Sequence, residues 1–165
     1  MSRQQVRQAV GDWIAAANIP HLNQIYTSHP KRINFQANST AGEMTRAAGV
    51  VFISNETESR IAVGGAYNGW KRIDYQVQFQ VFTHSVEMYS QDAMDTFDSI
   101  IDAIKTQLRG GGHRLGKTDG DVIWQAAEGG DTSISISYGE PLTNDGGATE
   151  IWASVDFVVT QMIQA

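Results

Sequence analysis

The stretch Ile73-Asp74-Tyr75-Gln76-Val77-Gln78-Phe79-Gln80-Val81-Phe82-Thr83-His84 decides the fold of this chain. Its odd positions through Val81 are apolar and its even positions through Gln80 are polar. A two-residue period marks a strand with one dry side and one wet or partner-facing side. At 12 residues, it is about twice the commonest strand length of ~5–6. A Gly69-Trp70-Lys71 turn leads into it, and a helical pattern follows. Met94, Phe97, Ile101, Ile104 and Leu108 recur at three- and four-residue spacing, the stripe of a helix lying on a core. Ser90 is placed to cap that helix, Asp92 and Asp95 sit early and Lys105 and Arg109 late, as the helix dipole prefers. Gly110-Gly111-Gly112 stop it.

Working outward, residues 3–17 read as a second helix, with Val6, Val10, Trp13, Ile14 and Ala17 on one face. Ser2 can cap it, and Asn18-Ile19-Pro20 ends it. Leu22 to Tyr26 forms a short strand. Residues 34–48 show no period and much polarity, which predicts a long loop of the kind that carries function or orders against a partner. Gly49 to Ser54 reads as a buried strand, with Arg60 to Val63 as its hairpin partner across a polar turn at Asn55 to Ser59. Gly64 to Gly69 is a second turn. Val122 to Ala126 and Thr132 to Tyr138 add two strands, and Asn144-Asp145-Gly146-Gly147 is a strong turn signal. The last strand, Glu150 to Met162, puts Ile151, Ala153, Val155, Phe157 and Val159 on one face and Trp152, Ser154, Asp156, Val158 and Thr160 on the other.

These elements predict an α+β two-layer sandwich: a mostly antiparallel or mixed sheet packed by two main helices, with a long loop insertion at about 34–48. The 165 residues suit a single domain, roughly 100–200 residues being usual, and no internal repeat or linker divides them. The second sheet face is rich in Gln, Ser and Thr but nearly free of charge. A solvated face would more often carry Lys and Glu, so this one is expected to border other subunits or a confined channel.

Composition excludes several functions. The net charge is −6 and the basic residues are scattered, so tight binding to a phosphate backbone is not expected. With no cysteine, thiol nucleophiles, disulfides and cysteine-zinc sites are ruled out. The amphipathic first twenty residues are not a signal peptide, and no stretch approaches the roughly 20 apolar residues of a membrane span. The expectation is a soluble protein made in the cytoplasm.

Catalytic signatures are missing. No P-loop, GxSxG, HExxH or EF-hand pattern occurs. His21, His29, His84 and His113 share no ligand spacing, and His84 stands about 33 Å along an extended strand from Asp74. Asp92, Asp95, Asp98 and Asp102 flank one side of the second helix and could hold Mg²⁺, although no second helix supplies matching carboxylates. A solvated acidic face is the simpler reading. Neither a catalytic residue, a cofactor nor a metal is expected. Of the four tryptophans, Trp13 suits the core, Trp152 suits an interface anchor, and Trp70 beside Lys71 suits either.

The order of these elements resembles a known family. The amphipathic helix ends in Ala17-Asn18-Ile19-Pro20-His21-Leu22, Gly69-Trp70-Lys71 precedes the long strand, and the second helix reads Met94-Asp95-Thr96-Phe97-Asp98-Ser99-Ile100-Ile101-Asp102-Ala103-Ile104. Tyr138-Gly139-Glu140-Pro141 and Asp145-Gly146-Gly147-Ala148-Thr149-Glu150-Ile151-Trp152-Ala153 follow before the last strand. Together these resemble the tail terminator proteins of long-tailed bacteriophages, particularly of actinobacterial hosts. Order and spacing carry the resemblance, and segment 34–48 matches least well.

The resemblance implies a non-enzymatic virion protein, assembled in the host cytoplasm and placed at the head-proximal end of the tail. It would form a homohexameric ring that caps the tail tube, stops polymerisation and meets the head-tail connector or neck protein. Its partners would be itself, the major tail tube protein and that connector, with genomic DNA passing through the lumen without specific binding and no membrane involved. The residues expected at its interfaces are Trp70, Lys71, Gln76, Gln78, Gln80, Trp152, Ser154 and Asp156. Other readings are another head-tail joining or neck protein, a tail tube subunit, a small metal-dependent hydrolase using the acidic helix flank, and a monomeric ligand-binding domain.

Overall fold

The computed structural model describes residues 2–60, 69–110, 123–125 and 133–164. The chain runs α1 (Arg3–Ala15), β1 (Leu22–Tyr26), β2 (Thr45–Arg60), β3 (Trp70–Ser85), α2 (Ser90–Gly110), β4 (Ile123–Gln125), β5 (Ser135–Tyr138), β6 (Leu142–Thr143) and β7 (Thr149–Gln164). The seven strands form one mixed sheet in the order β1-β2-β3-β7-β4. β1 pairs parallel to β2, and every other pairing is antiparallel. β3 runs beside β7 over its whole length, from Trp70↔Gln164 to Ser85↔Thr149. The other side of β7 is therefore edged by three short strands in succession, β6, β5 and β4. The architecture is the expected α+β sandwich.

Both helices cover one face of the sheet. α1 begins with a reciprocal cap: Ser2 Oγ accepts from the Gln5 N–H (3.3 Å) while Gln5 Oε1 accepts from the Ser2 N–H (2.7 Å). It ends before Asn18, whose left-handed backbone (φ 48°) turns the chain toward β1. Arg7 Nε donates to the Thr27 carbonyl (2.7 Å), fastening the helix to the end of β1. Val6, Val10 and Ile14 of α1 and Phe97, Ile100, Ile101, Ile104 and Leu108 of α2 meet Tyr75, Val77, Phe79, Val81, Val155 and Phe157 in one core. Gln107 Nε2 donates to the Trp13 carbonyl (2.9 Å) where the helices touch. Trp13 is only partly buried, packing on the core from its margin. The α2 stripe is corrected at its start, since Ala93 is buried and Met94 is exposed.

The largest correction concerns β2. Residues 55–59 are not a turn: they continue the strand and pair with β3, from Asn55↔Gln76 to Ser59↔Arg72. A bulge at Ser54 breaks the register between Ile53↔Val77 and Asn55↔Gln76. Before it, odd-numbered β2 residues share the helix side with odd-numbered β3 residues; after it, even-numbered ones do. The polar run beyond the bulge is held by backbone pairing, with Lys71 Nζ 2.7 Å from Glu58 Oε1 and Arg3 Nε 3.5 Å from Glu56 Oε2. Arg60 of the expected hairpin partner ends β2 itself; Ile61–Val63, the expected turn Gly64–Asn68, the expected loop 111–121 and the expected strand residues Val122, Ala126 and Thr132 lie outside the described residues.

Segment 34–48 is also corrected, because its last four residues already belong to β2. Of the remainder, Phe35 folds against the face opposite the helices, while Asn38 and Glu43 bond along the start of β1. The Phe35 ring stacks on His84 at 5.7 Å, and the Asn34 N–H donates to the Tyr26 hydroxyl (3.0 Å). Val50 points to that face yet is only 2% exposed. Asn144 builds the β6–β7 turn, its Oδ1 accepting from the N–H groups of Gly146 (3.0 Å) and Ala148 (3.1 Å), with Gly147 at φ 79°.

Candidate functional site

The sheet face opposite the helices holds the residues that sequence pattern assigned to assembly. Register fixes their arrangement. Phe82 lies opposite Trp152, Gln80 opposite Ser154, Gln78 opposite Asp156 and Gln76 opposite Val158. β2 adds Val50 beside Gln80 and Phe52 beside Gln78, and β5 adds Ser137 beside Ser154 and Ser135 beside Asp156. Facing pairs on neighbouring antiparallel strands stand about 4.5–5.5 Å apart, so these side chains adjoin one another on this face, with Val50 buried at its margin.

Its character is apolar rings set among uncharged polar groups. Phe52 is 48% exposed and Trp152 43% exposed. Gln76 is exposed, while Gln78 and Gln80 are half-buried. Ser154 is buried and its Oγ donates to Asp156 Oδ1 at 2.8 Å, which fixes the one carboxylate in the middle of the patch. Trp152 is seated by Gly139: a Cβ there would lie 2.0 Å from the indole Nε1, and the Gly139 N–H donates to the Trp152 carbonyl (2.9 Å). Only glycine leaves room for the indole at this distance.

Two of the eight expected interface residues stand apart from the other six. Trp70 shares the face but begins β3, six residues or about 20 Å along the strand from Gln76. Lys71 points to the helix side, where it meets Glu58. Between them and the patch lies a fixed polar group. Asp74 Oδ1 accepts from Arg72 Nε (2.8 Å) and from the hydroxyl of buried Thr160 (2.6 Å). Phe52 and Gly139 went unassigned from sequence. Phe52 sits in the unbroken apolar run Val50 to Ile53, which hides strand facing, and Gly139 matters only through a contact across strands.

Other candidate chemistry is dispersed. Asp92, Asp95, Asp98 and Asp102 are exposed along α2, and Asp102 pairs with Lys105. Among the described residues no group of three or more His, Asp or Glu side chains is placed to hold a metal ion. His21 Nδ1 lies 2.8 Å from Glu43 Oε1, a contact that ties segment 40–43 to the start of β1. His84 is the stacking partner of Phe35. Among the described residues no helix is long and apolar enough to cross a membrane.

No protein-family model matches this chain, and no curated protein matches it either.

Proposed function

We propose that this chain is a non-catalytic assembly protein of the tail terminator type, which closes into a homohexameric ring, caps a phage tail tube and joins it to the head connector. The observation that carries the reading is the outer patch. Among the described residues helices cover one side of the sheet and none covers the other, which exposes Phe52 and Trp152 among Gln76, Gln78 and Gln80. Aromatic anchors in a setting with little charge are the composition of an interface core. The negative charge of each copy (−6) also suits a ring that DNA traverses without adhering, because basic contacts dominate nonspecific affinity.

The test is light scattering of the wild-type protein and of Gln78→Lys, with tail tube protein added in a second series. Asp156, directly across from position 78, supplies an opposite charge and keeps the variant folded. The wild type self-associates or binds tube ends, and the variant does neither. Equal assembly of the two would remove the patch from the interface. Unlimited growth of the wild type into tubes, instead of arrest at one ring, would identify a tube subunit.

A further inference from the structure

Beneath the segment that covers the sheet end lies a pocket of about 590 Å³. Arg32, Asn34, Phe35 and Gln36 form its roof, and Arg46 and His84 form its floor. The floor residues are cross-strand partners, so register fixes their side-by-side position on the outer face. His84 is further held by the Phe35 ring at 5.7 Å. Arg46 Nε is buried and has no hydrogen-bond partner. Among the described residues neither the Arg32 nor the Arg46 guanidinium has a hydrogen bond or an ion pair. Glu150 stands on the far side of His84 in the strand order, 3.6 Å from its Nδ1, and is exposed. In a chain of net charge −6, two unpaired guanidiniums facing one pocket are a local reversal of sign.

We infer that this pocket binds an oxyanion of the phosphate or carboxylate class, with Arg46 as its anchor and Arg32 closing from the roof. A guanidinium presents donors in a planar fork that matches two oxygens of such a group. A buried unpaired donor is costly, and an oxyanion removes that cost while supplying the opposite charge. The volume falls within the roughly 300–1,000 Å³ of small-molecule sites, so the oxyanion can carry a small substituent. The same chemistry has two sources: a free anion, or a carboxylate presented by a second copy of this acidic chain. The inference does not depend on the ring reading.

The test is isothermal titration calorimetry of the full chain with sodium phosphate, with chloride balancing the ionic strength. Arg46→Gln and Arg32→Gln are measured beside it, and circular dichroism establishes that each is folded. A saturable isotherm, weakened roughly tenfold or more in Arg46→Gln as expected for a lost charge-assisted hydrogen bond, establishes a free oxyanion. Self-association that excess phosphate disperses and that Arg46→Gln lacks establishes a carboxylate from a second copy. Arg32 is exposed at the rim, so Arg32→Gln carries the same readings should Arg46→Gln unfold. Phosphate affinity unchanged in both variants, or neither phosphate binding nor phosphate-sensitive association in the wild type, overturns the inference.

Discussion

Replacing Gly49 with alanine tests the packing of the core at its tightest point. Gly49 lies in β2 on the helix side, opposite Val81, and the Phe79 ring rests against its backbone. A Cβ at this position would lie 2.1 Å from Phe79 Cζ and 2.6 Å from Cε2. Ordinary carbon contact begins near 3.5 Å, so the ring would have to retreat by about 1.4 Å. Phe79 is fully buried within the core, so the ring cannot move out into solvent. Overpacking of this kind costs about 1–3 kcal/mol. The stiffer unfolded chain offsets about 0.4–1 kcal/mol of that. The net expectation is a loss of on the order of 1–2 kcal/mol, or about 2–8 °C in Tm for a chain of this length. Urea denaturation followed by circular dichroism measures it. Phe79→Leu alone also destabilises, by leaving a cavity. In the double variant the new methyl group occupies part of that space, so the combined loss falls short of the sum of the single losses by about 1 kcal/mol. A neutral or stabilising Gly49→Ala, or strict additivity in the double variant, would refute the packing argument.

Three further outcomes are expected. Gly139→Ala displaces the Trp152 indole from its seat, shifting tryptophan fluorescence and weakening assembly while circular dichroism stays unchanged; wild-type fluorescence and assembly would show that the indole is not held there. The Tyr75 hydroxyl donates to Gln161 Oε1 (3.1 Å) inside the core, so Tyr75→Phe loses about 1–3 kcal/mol in urea titration, and adding Gln161→Leu restores part of it by removing the stranded amide. Millimolar Mg²⁺ leaves the Tm of the wild type and of Asp95→Asn alike, because the α2 carboxylates line an exposed flank; a Mg²⁺-dependent rise lost in Asp95→Asn would revive the hydrolase reading.

β3 and α2 were legible in sequence because each keeps one period over many residues. Ile73 to Val81 alternate without a break, and Phe97 to Leu108 hold a helical stripe. Met94 was misread because residues 93 and 94 fit the stripe about equally well, and only packing puts Ala93 inside. β2 defeated the same method at Ser54, where one extra residue exchanges the faces and leaves a polar run that imitates a turn. What holds Asn55 to Arg60 in the sheet is a partner strand, and a period within one strand cannot report its partner. The Gln76-Gln78-Gln80 row was visible for the reason β3 was. Its neighbours Phe52 and Gly139 depend on cross-strand register, as does the meeting of Arg46 with His84 under Phe35. Trp70 and Lys71, expected in a turn, already belong to β3, and Lys71 sits on the face opposite Trp70 because adjacent strand residues point apart.

The central claim is that the outer patch closes copies of this chain into a ring that ends a tube. Negative-stain electron microscopy of the purified protein, alone and mixed with tail tube protein, tests it most directly. The account predicts six-fold rings seated on tube ends, with tube growth arrested there. A protein that stays monomeric at every concentration and leaves tube ends bare and growing would contradict it.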